Sequence, residues 1–348
     1  MMPKIRRLPA LFSLPPLTQA LGRFVASRTP SGRPALGVLG ILATVLVALG
    51  ASRVGPFPEP VGVQGGDSVV IAAAGDLVCG SETQTQVIPC LELATAEVVR
   101  KLKPDALLLL GDLQYESGSL ADFQSYFEAA FGEFKTITYP VPGNHEYFTP
   151  NAAGYFDYFN GVGADSGRAG RRGRGYYSFN LGAWHIVALN SNCLEIGGCN
   201  ARSAQATWLR ADLASNKAKC TLAFSHSARF SSGQHGNDEL MRDLWQIMYE
   251  AGVDVVLSGH DHHYERFLPQ DAMGRPDEKR GILAFVLGTG GKGLAPIGRR
   301  RSNSAEHDNS SIGVLTMVLR PDSYSWKFAP MSHPRMKLED PGTGNCHD

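Results

Sequence analysis

Short apolar runs, each ending abruptly in a small or polar residue, punctuate this chain. Residues 69–74, 106–110, 136–141, 221–224 and 253–257 are four to six residues long and rich in Val, Ile, Leu and Ala. Runs of that length and composition suit strands buried on both faces. Between and beside them, apolar positions recur at helical spacing over 91–102, 120–131, 204–214 and 238–251. In the last of these Asn237 is placed to cap the start, Leu240, Leu244, Ile247, Met248 and Ala251 form the apolar face, and Gly252 ends it. Two strand pairs are predicted as well, 176–180 with 184–190 and 314–319 with 324–328, the second turning at Pro321-Asp322. Strands alternating with helices and mixed with hairpins imply an α/β domain with mixed sheets.

The residues that follow the apolar runs add chemistry to that outline. Asp76 follows Gly75, Asp112 follows Gly111, Asn144 and His145 follow Gly143, His226 stands just past 221–224, and Gly259 opens His260-Asp261-His262. In open α/β sheets ligands bind at the carboxyl edge of the strands, so side chains far apart in sequence can meet in one crevice. The glycines lack Cβ and so allow strained turns and close backbone approach. With Tyr115, the candidate donors are carboxylate, amide, phenol and imidazole groups without a thiolate, a set that suits Fe, Zn or Mn rather than Cu(I) or an iron–sulfur cluster. A closed site for one ion needs about four ligands. The surplus implies two ions sharing a carboxylate, an arrangement suited to phosphoester hydrolysis.

The order GD, GDxxY, GNHE, a lone His after a strand, and GHxH resembles that of the calcineurin-like metallophosphoesterases. Gly111-Asp112-Leu113-Gln114-Tyr115 and Gly259-His260-Asp261-His262-His263-Tyr264-Glu265-Arg266 are similar to the purple acid phosphatase branch. The resemblance runs over residues 67–332 and implies the metallophosphoesterase fold, a four-layer αββα sandwich of two mixed β-sheets flanked by helices. It also implies one ion held by Asp76, Asp112, Tyr115 and His262, and a second held by Asp112, Asn144, His226 and His260. Asp112 would bridge the two. His260 and His262 are expected to share one face of an extended segment, with Asp261 turned away in a structural role. Coordination by Tyr115 implies Fe(III) paired with Zn, Mn or Fe(II); without it, two divalent ions are implied.

The expected substrate is a small-molecule phosphate ester, a phosphomonoester attacked by a metal-bound hydroxide. By the same resemblance His145 is a donor to the substrate phosphate, and His235, nine residues after His226, is a second candidate general acid. Arg229 and Arg266 are weaker candidates for phosphate contact. His185 reads as a hydrogen-bonded core histidine and His263 as a bystander. Two rival readings remain at this level: a phosphodiesterase acting on nucleotide or lipid-derived diesters, and a catalytically silent relative that keeps the metals.

Charge and cysteine usage narrow the setting. Residues 1–51 carry Lys4, Arg6, Arg7, Arg23, Arg28 and Arg33 and no acidic residue, and end in the apolar stretch 35–51. That layout fits a secretory signal or an N-terminal membrane anchor, so the protein is expected to be secreted or held on the outer face of a membrane. A Pro- and Gly-rich linker is expected over 52–66, a catalytic domain over 67–332 and a tail over 333–348. The whole chain has 33 basic and 33 acidic residues, and setting aside residues 1–51 leaves a net charge of minus six. That balance argues against nucleic acid as a stable partner.

Six cysteines fit an oxidising destination. Cys79 with Cys90 and Cys193 with Cys199 are the expected pairs, while Cys220 and Cys346 could tie the tail to the sheet or stay free. No internal repeat and no additional N-terminal β-domain is expected.

Overall fold

The computed structural model describes residues 68–80 and 90–347. The expected signal or anchor and the linker lie outside the described residues. Among the described residues no helix is long and apolar enough to cross a membrane.

The described chain opens with β1 (Val69–Ala74), α1 (Glu92–Leu102) and β2 (Ala106–Leu110). It continues through α2 (Leu120–Asp122), a π turn (Phe123–Phe127) and α3 (Glu128–Phe131) to β3 (Thr138–Val141). Next come α4 (Ala153–Asn160), the short hairpin β4 (Ser166–Gly167) and β5 (Gly170–Arg171), β6 (Tyr177–Leu181) and β7 (Trp184–Ala188). Then follow α5 (Ala204–Ser215), β8 (Cys220–Phe224), α6 (Arg242–Glu250), β9 (Val255–Ser258), β10 (Tyr264–Gln270) and β11 (Ile282–Leu287). β12 (Ser304–Asp308), β13 (Gly313–Leu319), β14 (Ser323–Pro330) and β15 (Gly342–Asn345) complete the order.

The strands form a six-stranded sheet, ordered β15-β14-β13-β1-β2-β3, and a seven-stranded sheet, ordered β12-β10-β11-β9-β8-β7-β6. The first sheet is parallel at one end, β1 with β2 and β2 with β3, and antiparallel from β1 through β13 and β14 to β15; the second is parallel at its centre, β7 with β8, β8 with β9 and β9 with β11. Alternation along each strand explains the unbroken apolar runs. Ile71 and Ala73, Leu108 and Leu110, Ile186 and Ala188, and Val255 and Leu257 point into one core shared by the two sheets. Their neighbours Ala72, Ala74, Leu107 and Leu109 face Ala96 and Val99 of α1 and the aromatic residues of α3 and α4. On the other side Val187, Ala223 and Val256 face Leu209 of α5 and Leu244, Trp245 and Met248 of α6. The result is the expected αββα sandwich.

Several expectations need correction. The stretch 120–131 is not one regular helix: its centre is a π turn in which the Glu128 amide donates to the Phe123 carbonyl. The wide turn keeps Phe123, Phe127 and Phe131 all buried. The stretch 238–251 starts as a 3₁₀ turn (Glu239–Met241), and its cap is Asp238, whose Oδ1 accepts the Leu240 amide at 2.9 Å. Asn237 instead accepts the Ser231 amide, and Leu240 is exposed. Helix α4 lies outside the predicted elements; its Tyr155, Phe156, Tyr158 and Phe159 are all buried, and only Asp157 and Asn160 mark a narrow outer face.

The tail contains β15, an edge strand paired with β14. Disulfides join Cys79 to Cys90, Cys193 to Cys199 and Cys220 to Cys346. The last settles the open pair: it links the tail, beyond an edge strand of the first sheet, to the first residue of β8 in the second.

Candidate metal centre

The carboxyl ends of β1, β2, β3, β8 and β9 converge on one cluster of donors. Three of the residues that follow these strands, Asp76, Asp112 and His260, have left-handed backbone at φ 62°, 49° and 72°. Such conformations are uncommon for non-glycine residues and concentrate at functional sites. His260 and His262 therefore sit in a tight turn rather than the extended segment expected, and it is the turn that aims both rings at the cluster.

Glycine makes the approach possible. Gly111 has φ 85°, and a Cβ there would lie 2.6 Å from His226 Nδ1. A Cβ on Gly143 would collide with the Asp112 carboxylate.

Around the Tyr115 hydroxyl, Asp76 Oδ1 lies at 2.9 Å, Asp112 Oδ2 at 3.1 Å and His262 Nε2 at 3.1 Å. Around His226 Nε2, His260 Nδ1 lies at 3.0 Å, Asn144 Oδ1 at 3.1 Å and Asp112 Oδ2 at 3.4 Å. The structure thus brings together all seven residues named from sequence as ligands, in two sets of four that share Asp112 Oδ2.

Three of the donors are held by an atom that does not face the cluster. Asp76 Oδ2 accepts the His260 amide at 2.9 Å, leaving Oδ1 inward. Asp112 Oδ1 accepts the His145 amide at 2.9 Å, leaving Oδ2 inward. His226 Nδ1 donates to the Leu110 carbonyl at 2.8 Å, which fixes Nε2 toward the site.

The chemistry of these sets fits cations. With its Nδ1 proton engaged, His226 Nε2 faces three atoms able to accept, and a single proton cannot satisfy them all. Burial works against charge on His226, yet the Asp112 and Asp76 carboxylates hold it up to about 10. Burial also raises Asp76 and Asp112, but His262 in the first case and His226 in the second more than offset it, so both stay below the usual carboxylate range. Burial together with Asp112 and Asp76 keeps the Tyr115 phenol well above its ordinary value. A cation between these groups would favour the phenolate. Burial, with His226 and His235 nearby, pushes His260 down to about 4, the neutral form that ligates metals.

The other named residues surround this cluster. His145 Nδ1 donates to the Glu116 carbonyl at 2.6 Å, and its Nε2 lies 3.9 Å from Asp112 Oδ2. The His235 ring lies 4.0 Å, centroid to centroid, from that of His260, and its backbone amide donates to Asp261 Oδ1 at 2.9 Å. Asp261 also accepts the Ser231 hydroxyl, in keeping with a structural role. Arg266 is paired with both Asp340 oxygens, and the buried Arg229 gives one guanidinium nitrogen to Glu239. His185 bonds to Asp212 and Asn180, and His263 to Glu265.

Sequence reasoning missed two features. Glu146, fully buried, accepts the amides of Asp112, Leu113, Gln114 and Gly143 at 2.6–3.2 Å. It pins the loop bearing Asp112 to the loop bearing Asn144; burial, with the Asp112 charge, pushes its carboxyl up to about 7 against the pull of those amides. Its signal is the last letter of GNHE. The second feature is Lys292, whose ammonium sits 4.3 Å from the Tyr115 ring centroid and pairs with Glu116. It has no sequence signal beyond following Gly290-Gly291.

Residues 69–264 match the family model described as Calcineurin-like phosphoesterase. The chain is 31% identical over 263 residues to purple acid phosphatase 21 of Arabidopsis thaliana, covering 70% of this chain and 56% of that one. It is 29% identical over 243 residues to purple acid phosphatase 18 of the same plant, covering 65% and 51%. The chain thus spans about half the length of these curated relatives. Purple acid phosphatase PPD1 from yellow lupin seeds has a similar fold, with a TM-score of 0.64 at 18% identity, covering 79% of this chain and 53% of that one.

Proposed function

This chain belongs to the calcineurin-like phosphoesterase family, in its purple acid phosphatase-like branch, and we propose that it hydrolyses phosphomonoesters at a dinuclear metal centre. The observation that carries the reading is the position of Asp112 Oδ2, 3.1 Å from the Tyr115 hydroxyl and 3.4 Å from His226 Nε2, where one carboxylate serves two donor sets.

Asp76, Asp112, Tyr115 and His262 would hold one ion, and Asp112, Asn144, His226 and His260 the other. When bound, such ions stabilise charge on phosphoryl oxygens and lower the pKa of water to about 7. A tyrosinate favours Fe(III) in the first position, with Zn, Mn or Fe(II) in the second.

The chain's own groups do the rest. With Nδ1–H held by the Glu116 carbonyl, a proton taken up at His145 Nε2 makes an imidazolium beside the reacting phosphate. It donates to a phosphoryl oxygen there and stabilises the developing charge. His235, whose ring lies against that of His260, is the second candidate general acid. Export to an oxidising compartment belongs to the same proposal and is supported by the three disulfides.

The test is turnover of p-nitrophenyl phosphate and bis(p-nitrophenyl) phosphate by the metal-loaded full chain beside Asp112→Asn. Monoester turnover lost in the variant supports the reading. Diester preference reassigns the protein to the phosphodiesterases, and no turnover of either ester identifies a silent relative.

A further inference from the structure

We propose that Phe148 is a stacking platform for a planar aromatic leaving group, so that aryl phosphomonoesters are the esters this site prefers. The inference rests on the phosphoester reading above. Among the described residues Phe148 is the one aromatic side chain among the exposed large apolar residues, at 63% exposure. A single exposed apolar side chain is ordinary on a protein surface. This one is distinguished by how firmly it is held and by what it touches.

Phe148 closes the 3₁₀ turn Glu146–Phe148, and its amide donates to the His145 carbonyl at 3.2 Å. The first residue of that turn is Glu146, whose carboxylate is fixed by the buried amides described above. The residue after Phe148 is tied down at once, because the Thr149 hydroxyl donates to the Ser117 carbonyl at 2.7 Å. Pro150 then restricts the backbone beyond it. The ring is therefore presented to solvent by a rigid turn rather than by a loose loop.

Its contacts lead inward. The Phe148 ring meets the His145 ring edge-on, with centroids 4.7 Å apart at 60°. The His145 ring packs in turn against Tyr115, with centroids 4.3 Å apart. Tyr115 is 1% exposed and the His145 side chain 19%, so the three rings step outward from the donor cluster to solvent. A phosphate held beside His145 lies at the inner end of this series, and its ester substituent extends toward the outer end, along the open face of Phe148. An alkyl group gains only contact area there. A planar ring also gains an offset or edge-on stacking geometry, on a surface whose ordering cost is already met by the fold.

The test is a comparison of phenylphosphonate with methylphosphonate, which share a headgroup and are not hydrolysed. Affinities for the metal-loaded full chain are measured by calorimetry in the wild type, Phe148→Ala and Phe148→Trp. The wild type is expected to favour phenylphosphonate by about five- to tenfold. That ratio is expected to fall toward one in Phe148→Ala and to be kept in Phe148→Trp. A wild-type ratio near one, or a ratio that survives in Phe148→Ala, overturns the role of Phe148 and leaves the phosphoester reading standing. Binding of neither phosphonate overturns both.

Discussion

The carboxylate of Glu146 accepts the backbone amide of Asp112 at 2.9 Å, deep inside the domain. Asp112 is the residue on which the two donor sets meet, and its left-handed backbone at φ 49° is one that this contact helps to hold. Glu146 is therefore a positioning residue. Replacing it with Ala leaves four inward-facing amides without a partner, each costing about 1–3 kcal/mol where water does not replace the bond. Glu146→Ala is expected to lower both the unfolding free energy and metal affinity, the latter by about 10- to 100-fold. Denaturant titration and competition with a chelator check the two effects, and an unchanged metal affinity would contradict the role.

Tyr115→Phe separates the metal assignments. The phenyl ring fills the same space, so packing against His145 and Lys292 is kept while the hydroxyl 2.9 Å from Asp76 Oδ1 is lost. The iron-loaded wild type is expected to absorb in the visible through a phenolate-to-iron transition, and the variant to be colourless. Colour in both, or in neither with iron present, would show that Tyr115 is not a ligand.

Chelation is expected to destabilise as well as inactivate. Asp76 and Asp112 are buried in adjoining donor sets, and their like charges oppose each other without a cation between them. A ligand bound only to the folded state adds stability by mass action, about 4 kcal/mol at a concentration a thousandfold above Kd. The melting temperature should fall after exhaustive dialysis against chelator and return on adding metal.

The Cys220–Cys346 disulfide makes a different prediction, because it lies at the opposite end of β8 from His226. It closes a loop with a sequence separation of 126, long enough for a stabilisation of about 2–5 kcal/mol. The double variant Cys220→Ser, Cys346→Ser should unfold at lower denaturant while keeping kcat near the wild-type value at 25 °C. Loss of turnover in a fully folded variant would contradict this separation of stability from site.

The contrast between Asp112 and Glu146 shows what the sequence makes legible. Asp76, Asp112, Asn144, His226 and His260 can be read because each follows an apolar run whose two faces are both buried, and sheet topology carries all those ends to one edge. The clamp on Glu146 cannot, since its four amide partners become neighbours only after two loops pack together. The same holds for β15, whose Gly-Thr-Gly-Asn sequence has little strand preference of its own and is ordered by pairing with β14 and by the Cys346 link. Asn237 and Asp238 are both good caps on propensity; the Ser231 amide, distant in kind from any helix signal, claims the first and leaves the second to the helix.

The most direct test of the proposed two-ion centre is metal stoichiometry, measured by mass spectrometry on the purified full chain alongside ester turnover during metal titration. Two ions per chain are expected, with turnover rising to a maximum at the second equivalent, and Asp112→Asn retaining fewer ions and falling by about 10³-fold in kcat. A single ion at full activity, or turnover that survives complete metal removal, would contradict the account.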